Sequence, residues 1–122
     1  MPDLAAMMEA IEKLVRDLDH VSFVEMGKQI EGFRGEYGIE MTPNVFLWQG
    51  VSEIASEALI ALAQAKRIHF EPVRRIVGGG MPLVYLVDGG FLALPLAKRL
   101  TPEGYRKPRW LPVVVRLGPG KP

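Results

Sequence analysis

The sequence predicts an α+β fold in which three or so helices come first and strands follow. Apolar residues recur every three or four positions in residues 3–18 and 53–66, which is the period of an amphipathic helix. From residue 68 onward the apolar period becomes two, the period of a strand. Glycine clusters at 78–80 and 89–90 separate the strand-like runs and suit tight turns. Helical signals therefore dominate the first half of the chain and strand signals the second half.

The first helix is predicted over residues 3–18, with Asp3 as its N-cap. One face is charged and carries two pairs of a glutamate and a basic residue at i,i+4 spacing, in the stabilising order. The other face is an apolar stripe, which predicts either that the helix packs on the core or that it pairs with its own copy in a homodimer. This stripe consists of Leu4, Met7, Met8, Ile11, Leu14, Val15 and Leu18.

A second helix is predicted over residues 23–33, because Ser22 and Glu25 have the spacing of a capping box. Gly27 lies inside this helix and lowers its stability by roughly 1 kcal/mol. Residues 34–43 contain two further glycines and no long apolar period. They are expected to form a loop with room for one short strand.

The segment that follows this loop begins with Thr42 and Pro43, which suit the N-cap and the first position of a helix. A short and very apolar helix is therefore expected here, and Gly50 is expected to end it. Ser52 then caps the long helix over residues 53–66.

After the long helix we expect a three-stranded meander, with strands at about 68–73, 83–87 and 91–96. Pro72 has no N–H to donate, which places the first of these strands at a sheet edge or at a bulge. Residues 113–115, three consecutive valines, predict one more strand near the C-terminus.

The composition predicts one soluble domain. The chain has 122 residues and no cysteine, which excludes a disulfide framework and a thiolate metal site. Its apolar runs are far shorter than the roughly 20 residues of a membrane span, and its first residues lack the basic start of a secretion signal. We expect a cytoplasmic domain over residues 1–117 and a disordered tail over 118–122, with no membrane partner.

Charge is distributed unevenly along the chain. Residues 1–63 contain four basic and eleven acidic residues, a net charge of −7, whereas residues 64–122 contain eleven basic and three acidic residues, a net charge of +8. A half with this excess of positive charge is suited to an anionic partner. The alternative is that the two halves neutralise each other, across the fold or between protomers.

The stretch from Ser52 to Val77 carries a resemblance to a known fold. A helix passes through Lys66 and Arg67 into an alternating strand, and a glycine turn leads to a second strand-like run, PLVYLVD. This order resembles a winged-helix domain, the winged form of the helix-turn-helix. The resemblance implies that the long helix is a recognition helix and that Arg74 and Arg75, at the approach to the wing, contact phosphates.

The sequence shows no catalytic constellation. His20 and His69 each lack a second histidine or a cysteine at metal-ligand spacing. The glycine run at 78–80 is not followed by the lysine and hydroxyl residue of a phosphate loop. We therefore expect neither an enzyme nor a metal or cofactor site.

The candidate nucleic-acid contacts fall into two groups. The first group lies on the exposed side of the predicted recognition helix and of the residues just before it. In winged-helix proteins such a helix enters the major groove of DNA. This exposed side carries two glutamates and no basic residue, however, so affinity is expected to come mainly from the second group, whose cations neutralise phosphates. Tyr105 and Trp110 could stack on bases or serve as core anchors. The first group is Gln49, Ser52 and Ser56; the second is Arg74, Arg75, Lys98, Arg99, Arg106, Lys107 and Arg109.

These features predict a small DNA-binding protein, a transcription regulator that holds phosphates through the wing and the basic C-terminal segment. The alternative is a protein-interaction module or assembly subunit on the same scaffold that does not bind DNA. Large apolar side chains near an acidic helix face favour this alternative. They are Phe46, Trp48 and Ile60.

Overall fold

The computed structural model describes residues 3–73, 76–77, 81–82, 85, 90, 92, 94–97 and 100–120. Within these ranges the chain is a mixed α+β protein, as expected, but its helices and strands alternate in the first half. The helices are α1 (Leu4–Leu18), α2 (Phe23–Gln29) and α3 (Glu53–Gln64). The strands are β1 (His20–Val21), β2 (Arg34–Thr42), β3 (Val45–Val51), β4 (Ile68–Pro72), β5 (Ile76–Val77), β6 (Met81–Pro82), β7 (Arg109–Trp110) and β8 (Val113–Leu117).

The three helices begin where their sequence caps predict. The side chains of Asp3, Ser22 and Ser52 each accept a hydrogen bond from the backbone N–H three residues later, over 2.7, 3.1 and 3.2 Å. The second helix is shorter than expected, because Ile30 is already extended, with φ −112° and ψ 116°. Local capping chemistry therefore fixes the helix starts more firmly than the helix ends.

The junction between α3 and β4 lies where the sequence predicts it. Lys66 has a φ of 60° and donates its N–H to the Ala63 carbonyl oxygen over 3.1 Å. The Arg67 N–H donates to the Leu62 carbonyl oxygen over 3.0 Å. These two bonds form a Schellman motif, which satisfies the last carbonyl groups of the helix and turns the chain into the strand.

The central sheet has the strand order β1–β8–β4. The last strand, β8, lies between the other two and is antiparallel to both, with Val21 opposite Val115 on one side and Phe70 opposite Val115 on the other. Among the described residues β4 therefore lies at the edge of this sheet, and its register with β8 is continuous, so Pro72 does not mark a bulge between them. α1 packs against α3 and β8. This sheet thus joins the segment before α2 to the segment after α3.

Residues 34–51 form a β-hairpin, which corrects the prediction of a loop followed by a short helix. β2 and β3 are antiparallel partners from Arg34 opposite Val51 to Thr42 opposite Val45. Pro43 and Asn44 form the connecting turn, and Asn44 has a φ of 64°. A proline followed by a residue of positive φ is the pattern of a type II turn. The pair that suggested a helix start therefore ends one strand and begins a turn.

The side chains of β3 explain why a strand forms here. Val45, Leu47 and Val51 are buried, whereas the side chains of the intervening Phe46 and Trp48 are half-buried. This alternation has the period of a strand, and valine, phenylalanine and tryptophan favour strands. The hairpin separates α2 from α3 in the chain, so the two helices are not joined by a short turn.

The second sheet has the order β2–β3–β7, with β7 parallel to β3. An aromatic cluster connects it to the central sheet. The Trp110 ring centroid lies 5.8 Å from that of Trp48 and 5.1 Å from that of Tyr85. The Trp110 indole N–H donates to the Leu47 carbonyl oxygen over 3.1 Å, and the Tyr85 hydroxyl donates to that of Val113 over 2.7 Å. Trp110 is only 1% exposed, which makes it a core anchor and not a base-stacking platform.

The expected meander is only partly within the described residues. The described partner of β4 is β8, which is not the next strand in the chain. Tyr85, within the strand predicted over 83–87, has helical backbone instead, which corrects that prediction at this residue. β5 and β6 pair antiparallel with Val77 opposite Met81, on either side of the glycine run at 78–80. That run and most of residues 83–87 and 91–96 lie outside the described residues.

The apolar stripe of α1 is used within the protein. Met7, Ile11 and Val15 are buried in the same core as α3 and the central sheet. The centre of the stripe is thus covered without a second copy of the chain. None of the helices in the described ranges has both the length and the apolar character needed to cross a membrane.

Candidate nucleic-acid interface

The most distinctive charged feature is the basic loop, defined here as Tyr105–Arg109. Both ends of this loop are fixed to the turn of the hairpin. The Tyr105 N–H donates to the Pro43 carbonyl oxygen over 2.9 Å, and the Arg109 N–H donates to the Asn44 carbonyl oxygen over 2.7 Å. The Asn44 side-chain amide also donates to the Tyr105 carbonyl oxygen over 2.8 Å. Three hydrogen bonds thus hold the basic loop against the hairpin turn, which lies about 60 positions earlier in the chain.

Asn44 organises this contact. Its backbone N–H donates to Glu40 Oε2 over 2.7 Å, so the carboxylate nearest the turn already has a hydrogen-bond partner. Asparagine tolerates a positive φ better than most residues, and its side chain is short enough to reach the neighbouring backbone. Gly104 precedes the loop with a φ of 71°, and a Cβ there would lie 2.0 Å from the Pro43 carbonyl oxygen. The close approach therefore requires glycine.

Arg109 has a structural position within the loop. Its guanidinium carbon lies 4.9 Å from the centre of the Tyr105 ring, a cation–π distance. One of its terminal nitrogens donates to the Leu96 carbonyl oxygen over 3.1 Å. Arg109 is half-buried, and these two contacts engage part of its guanidinium group. We therefore assign it to holding the loop, and not primarily to binding a phosphate.

Arg106 and Lys107 are the exposed cations of the basic loop. They lie between its two anchored ends, so the backbone that carries them is fixed while their side chains remain in solvent. In the ranges that the structure describes, neither side chain has an ion pair. A fixed backbone with two free cations is a suitable arrangement for contacting phosphates.

Only part of the positive charge of the second half is neutralised within the fold. Arg67 forms a bidentate pair with Glu12, over 2.7 and 2.6 Å, and this is the one described ion pair that joins the acidic half to the basic half. Arg116 pairs with Glu71, which belongs to the same half. Neutralisation across the fold thus accounts for Arg67 among the described cations but does not extend to the basic loop.

The residues predicted to read DNA from the helix do not share one helix face. Gln49 is exposed but lies on β3, which corrects its expected place beside the long helix. Ser52 caps α3 and donates its hydroxyl to the Gly32 carbonyl oxygen over 2.6 Å. Ser56 is half-buried, and Glu53 and Glu57 are exposed next to it. The start of α3 is therefore acidic, as the sequence indicates.

The two candidate groups lie at opposite ends of the hairpin. The basic loop contacts its turn, whereas α3 begins at its open end, where β3 finishes at Val51. Six residue steps along β3 correspond to about 20 Å. The structure thus separates Arg106 and Lys107 from Ser52 and does not combine them in one compact site. Arg74, Arg75, Lys98 and Arg99 lie outside the described residues.

The residues predicted for a protein interface are also divided. Trp48 belongs to the aromatic cluster, and its ring stacks on that of Phe23 with centroids 6.4 Å apart. Phe46 is half-buried on the same strand. Ile60 is 44% exposed on α3, the large apolar residue that the helix presents to solvent. Of the three, Ile60 is the one that retains a largely free side chain.

The described residues contain no group of three or more histidine, aspartate or glutamate side chains that could share a metal ion. His20 is exposed at the start of β1, and its Nδ1 lies 3.8 Å from Asp19 Oδ2. His69 Nδ1 lies 3.0 Å from the Gly118 carbonyl oxygen, which can only accept a hydrogen bond. Both histidines have ordinary local partners.

The sequence interpretation missed Asn44, Glu40 and Gly104 as parts of the candidate site. Pro43 and Asn44 carry a usable signal, because proline and asparagine are turn residues at the two central positions. The contact of this turn with residues 105–109 joins segments about 60 positions apart, so no local pattern indicates it.

Comparison of the chain with protein-family models, with curated proteins and with solved structures finds no match.

Proposed function

We propose that this protein is a small DNA-binding protein, with a role in transcription regulation, that grips the phosphate backbone through its basic loop. The observation that carries the proposal is the position of Arg106 and Lys107. Both are exposed and lie on a loop fixed at each end. A rigid cationic loop loses little conformational entropy on binding, and each neutralised phosphate releases counterions.

The proposed scaffold is winged-helix-like, with a hairpin inserted before the long helix. Two features support this. α3 passes through a basic junction directly into β4, and the short strand β1, which precedes α2, joins the sheet formed by β4 and β8. The resemblance adds Arg74 and Arg75 as further phosphate contacts, and the basic composition of the second half of the chain adds Lys98 and Arg99.

In this proposal α3 is not the main source of affinity. Glu53 and Glu57 are exposed near its start, and phosphates would repel both carboxylates. Ser52 is engaged in capping and Ser56 is half-buried, which leaves Gln49 on β3 as the exposed neutral member of that group. DNA binding through backbone contacts alone would be of low sequence specificity, because phosphates carry no sequence information.

The test is the salt dependence of binding to a labelled random-sequence duplex, measured by fluorescence anisotropy. The informative variant is Arg106→Ala/Lys107→Ala. The matched control is Lys13→Ala/Arg16→Ala, which removes the same charge from the exposed face of α1. The slope of log K against log salt is negative, and each lost phosphate contact makes it less negative by about 0.9. We expect the slope to become less negative by about 1 to 2 in the loop variant and to stay unchanged in the control.

Equal losses in the loop variant and the control would show that only overall charge matters and would contradict the assignment to the basic loop. No binding of the wild-type protein at low salt would contradict the proposed function itself. The protein-interaction alternative would then be favoured, since Ile60 is exposed beside the acidic side chains of α3.

A further inference from the structure

An apolar groove of about 620 Å³ lies between the hairpin, the end of α3 and β4. Its volume is within the range of small-molecule sites, which is roughly 300–1,000 Å³. The groove opens to solvent, because Met41 and Leu100 on its rim are 45% and 47% exposed in the folded chain. Large apolar side chains that remain exposed around a concave surface are typical of a binding site.

The walls of the groove are mostly aliphatic. Its floor consists of buried core residues, and Ala63 of α3 and Phe70 of β4 are half-buried at its sides. Such walls provide few hydrogen-bond partners, so they suit an alkyl chain better than a polar one. The main apolar lining residues are Met41, Leu47, Ala63, Phe70, Leu100 and Leu111.

The segment after β8 forms a further wall. The Gly118 N–H donates to the Arg67 carbonyl oxygen over 2.8 Å, and the Gly118 carbonyl oxygen lies 3.0 Å from His69 Nδ1. Pro119 and Gly120 follow along the groove, where a Cβ on Gly120 would lie 3.4 Å from that of His69. Contacts on both sides of Gly118 therefore hold this wall in place.

The charge of the groove indicates the polar end of its ligand. Among the described lining residues, Lys66 and His69 are the titratable groups, and none is acidic. Lys66 is exposed and has no described ion pair, whereas His69 already contacts the Gly118 carbonyl oxygen. Glu71, the acidic residue of β4, is paired with Arg116 and does not neutralise Lys66. One unpaired cation beside an apolar surface fits a ligand with one negative charge.

We propose that this groove binds a free medium-chain alkyl carboxylate, with the alkyl chain against the aliphatic walls and the carboxylate paired with Lys66. An extended peptide fits less well, because its backbone groups would lack partners against these walls. None of the five residues of the basic loop lines the groove. The proposal therefore does not depend on DNA binding.

The probe is octanoate, and its binding to the full chain is measured by isothermal titration calorimetry. We expect a Kd of about 0.1–1 mM. Each added pair of methylene groups, from hexanoate through octanoate to decanoate, should tighten binding about 3- to 15-fold, since the added groups leave water. Octanamide, which has the same chain without the charge, should bind about two- to fivefold more weakly than octanoate.

Variants of the protein test the two parts of the site. Lys66→Ala is expected to weaken octanoate binding about two- to fivefold and to leave octanamide binding unchanged. Lys13→Ala removes one exposed cation from α1 and is the matched control, which should change neither. Ala63→Leu fills the groove with a good helix former and should weaken both ligands at least about tenfold. Urea denaturation checks that this variant folds.

A second measurement locates the ligand in the wild-type protein, so the test does not depend on the filled variant. Met41 lines the groove, whereas Met7 and Met26 are buried in the core. With ¹³C-methyl-labelled methionine, the NMR signal of the Met41 methyl group should shift with octanoate concentration and give the calorimetric Kd. The signals of Met7 and Met26 should stay in place.

Three results would overturn the proposal. The first is the absence of saturable octanoate binding, or of a Met41 shift, up to about 5 mM. The second is equal affinity for octanoate, octanamide and octylammonium, because Lys66 would then have no role. The third is a wild-type dimer, seen by sedimentation velocity, that octanoate dissociates, because the occupant of the groove would then be a second copy of this chain.

Discussion

The two ends of the β2–β3 hairpin differ in charge and in the way that they are held. At the open end, α3 begins beside Val51, and its exposed start carries Glu53 and Glu57. At the closed end, the turn at Asn44 fixes the basic loop. One end is acidic and capped by its own local sequence. The other end is cationic and depends on contacts between distant segments.

This difference explains why the predicted DNA contacts do not form one site. Ser52 caps α3 by accepting a hydrogen bond from the Ala55 N–H, so its side chain already has a role in the fold. Arg106 and Lys107 have no such structural partner among the described residues. Charged groups that the fold does not use are better candidates for binding than groups that it does use. The following predictions test this contrast, beginning with the largest expected effect.

Removing the anchor of the closed end should have the largest effect on stability. Trp110→Ala deletes a buried aromatic ring and the hydrogen bond to the Leu47 carbonyl oxygen. We expect a loss of about 3–5 kcal/mol in the free energy of unfolding, measured by urea denaturation. Trp110→Phe keeps most of the volume and should cost clearly less. Equal costs for both variants would show that packing of the ring contributes little.

The turn itself should contribute less than the anchor. Asn44→Ala loses the hydrogen bond to the Tyr105 carbonyl oxygen and places alanine at a φ of 64°. We expect a loss of about 1–2 kcal/mol, because both effects are unfavourable. Asn44→Gly keeps the turn conformation and loses only the side-chain bond, so it should be the less destabilising variant. The reverse order in thermal denaturation would contradict the assigned role of the turn.

The ion pair between the two halves of the chain should be worth about 1 kcal/mol. The Glu12 side chain is 15% exposed and makes two hydrogen bonds to Arg67, which is itself half exposed, so solvent screens the pair only in part. We expect Glu12→Gln to lower stability by about this amount. Glu9→Gln, on the exposed side of α1, is the control and should have almost no effect. A double-mutant cycle with Arg67→Ala measures the coupling directly.

Removing the cations of the basic loop should have the smallest effect on folding. Arg106 and Lys107 are exposed and have no described ion pair, so Arg106→Ala/Lys107→Ala should change the free energy of unfolding by less than about 0.5 kcal/mol. The same variant is expected to lose duplex affinity. A loss of stability above 1 kcal/mol in urea denaturation would indicate that these side chains serve the fold after all.

Local sequence signals predicted the starts of the three helices well. The caps at Asp3, Ser22 and Ser52 and the junction after Lys66 are set by residues within a few positions of one another. Such short-range chemistry can be read from the sequence, because the partners of each hydrogen bond are neighbours in the chain.

The hairpin and the central sheet were harder to predict for physical reasons. The apolar run after Pro43 is too short for its period to distinguish a buried strand from a helix. β8 pairs with β1 and β4, which are about 50 to 100 positions away, and no local pattern encodes that choice. The role of Asn44 in holding the basic loop depends on the same kind of distant contact.

The most direct test of the central claim is an NMR titration of the ¹⁵N-labelled protein with a short random-sequence duplex at low salt. Our account predicts that the largest amide shifts occur in residues 103–109 and at the turn near Asn44. Amides of α3 from Glu53 to Ile60 should move little, because this acidic surface faces away from the phosphates. Shifts concentrated in α3, with residues 103–109 unchanged, would contradict the claim that the closed end of the hairpin binds DNA.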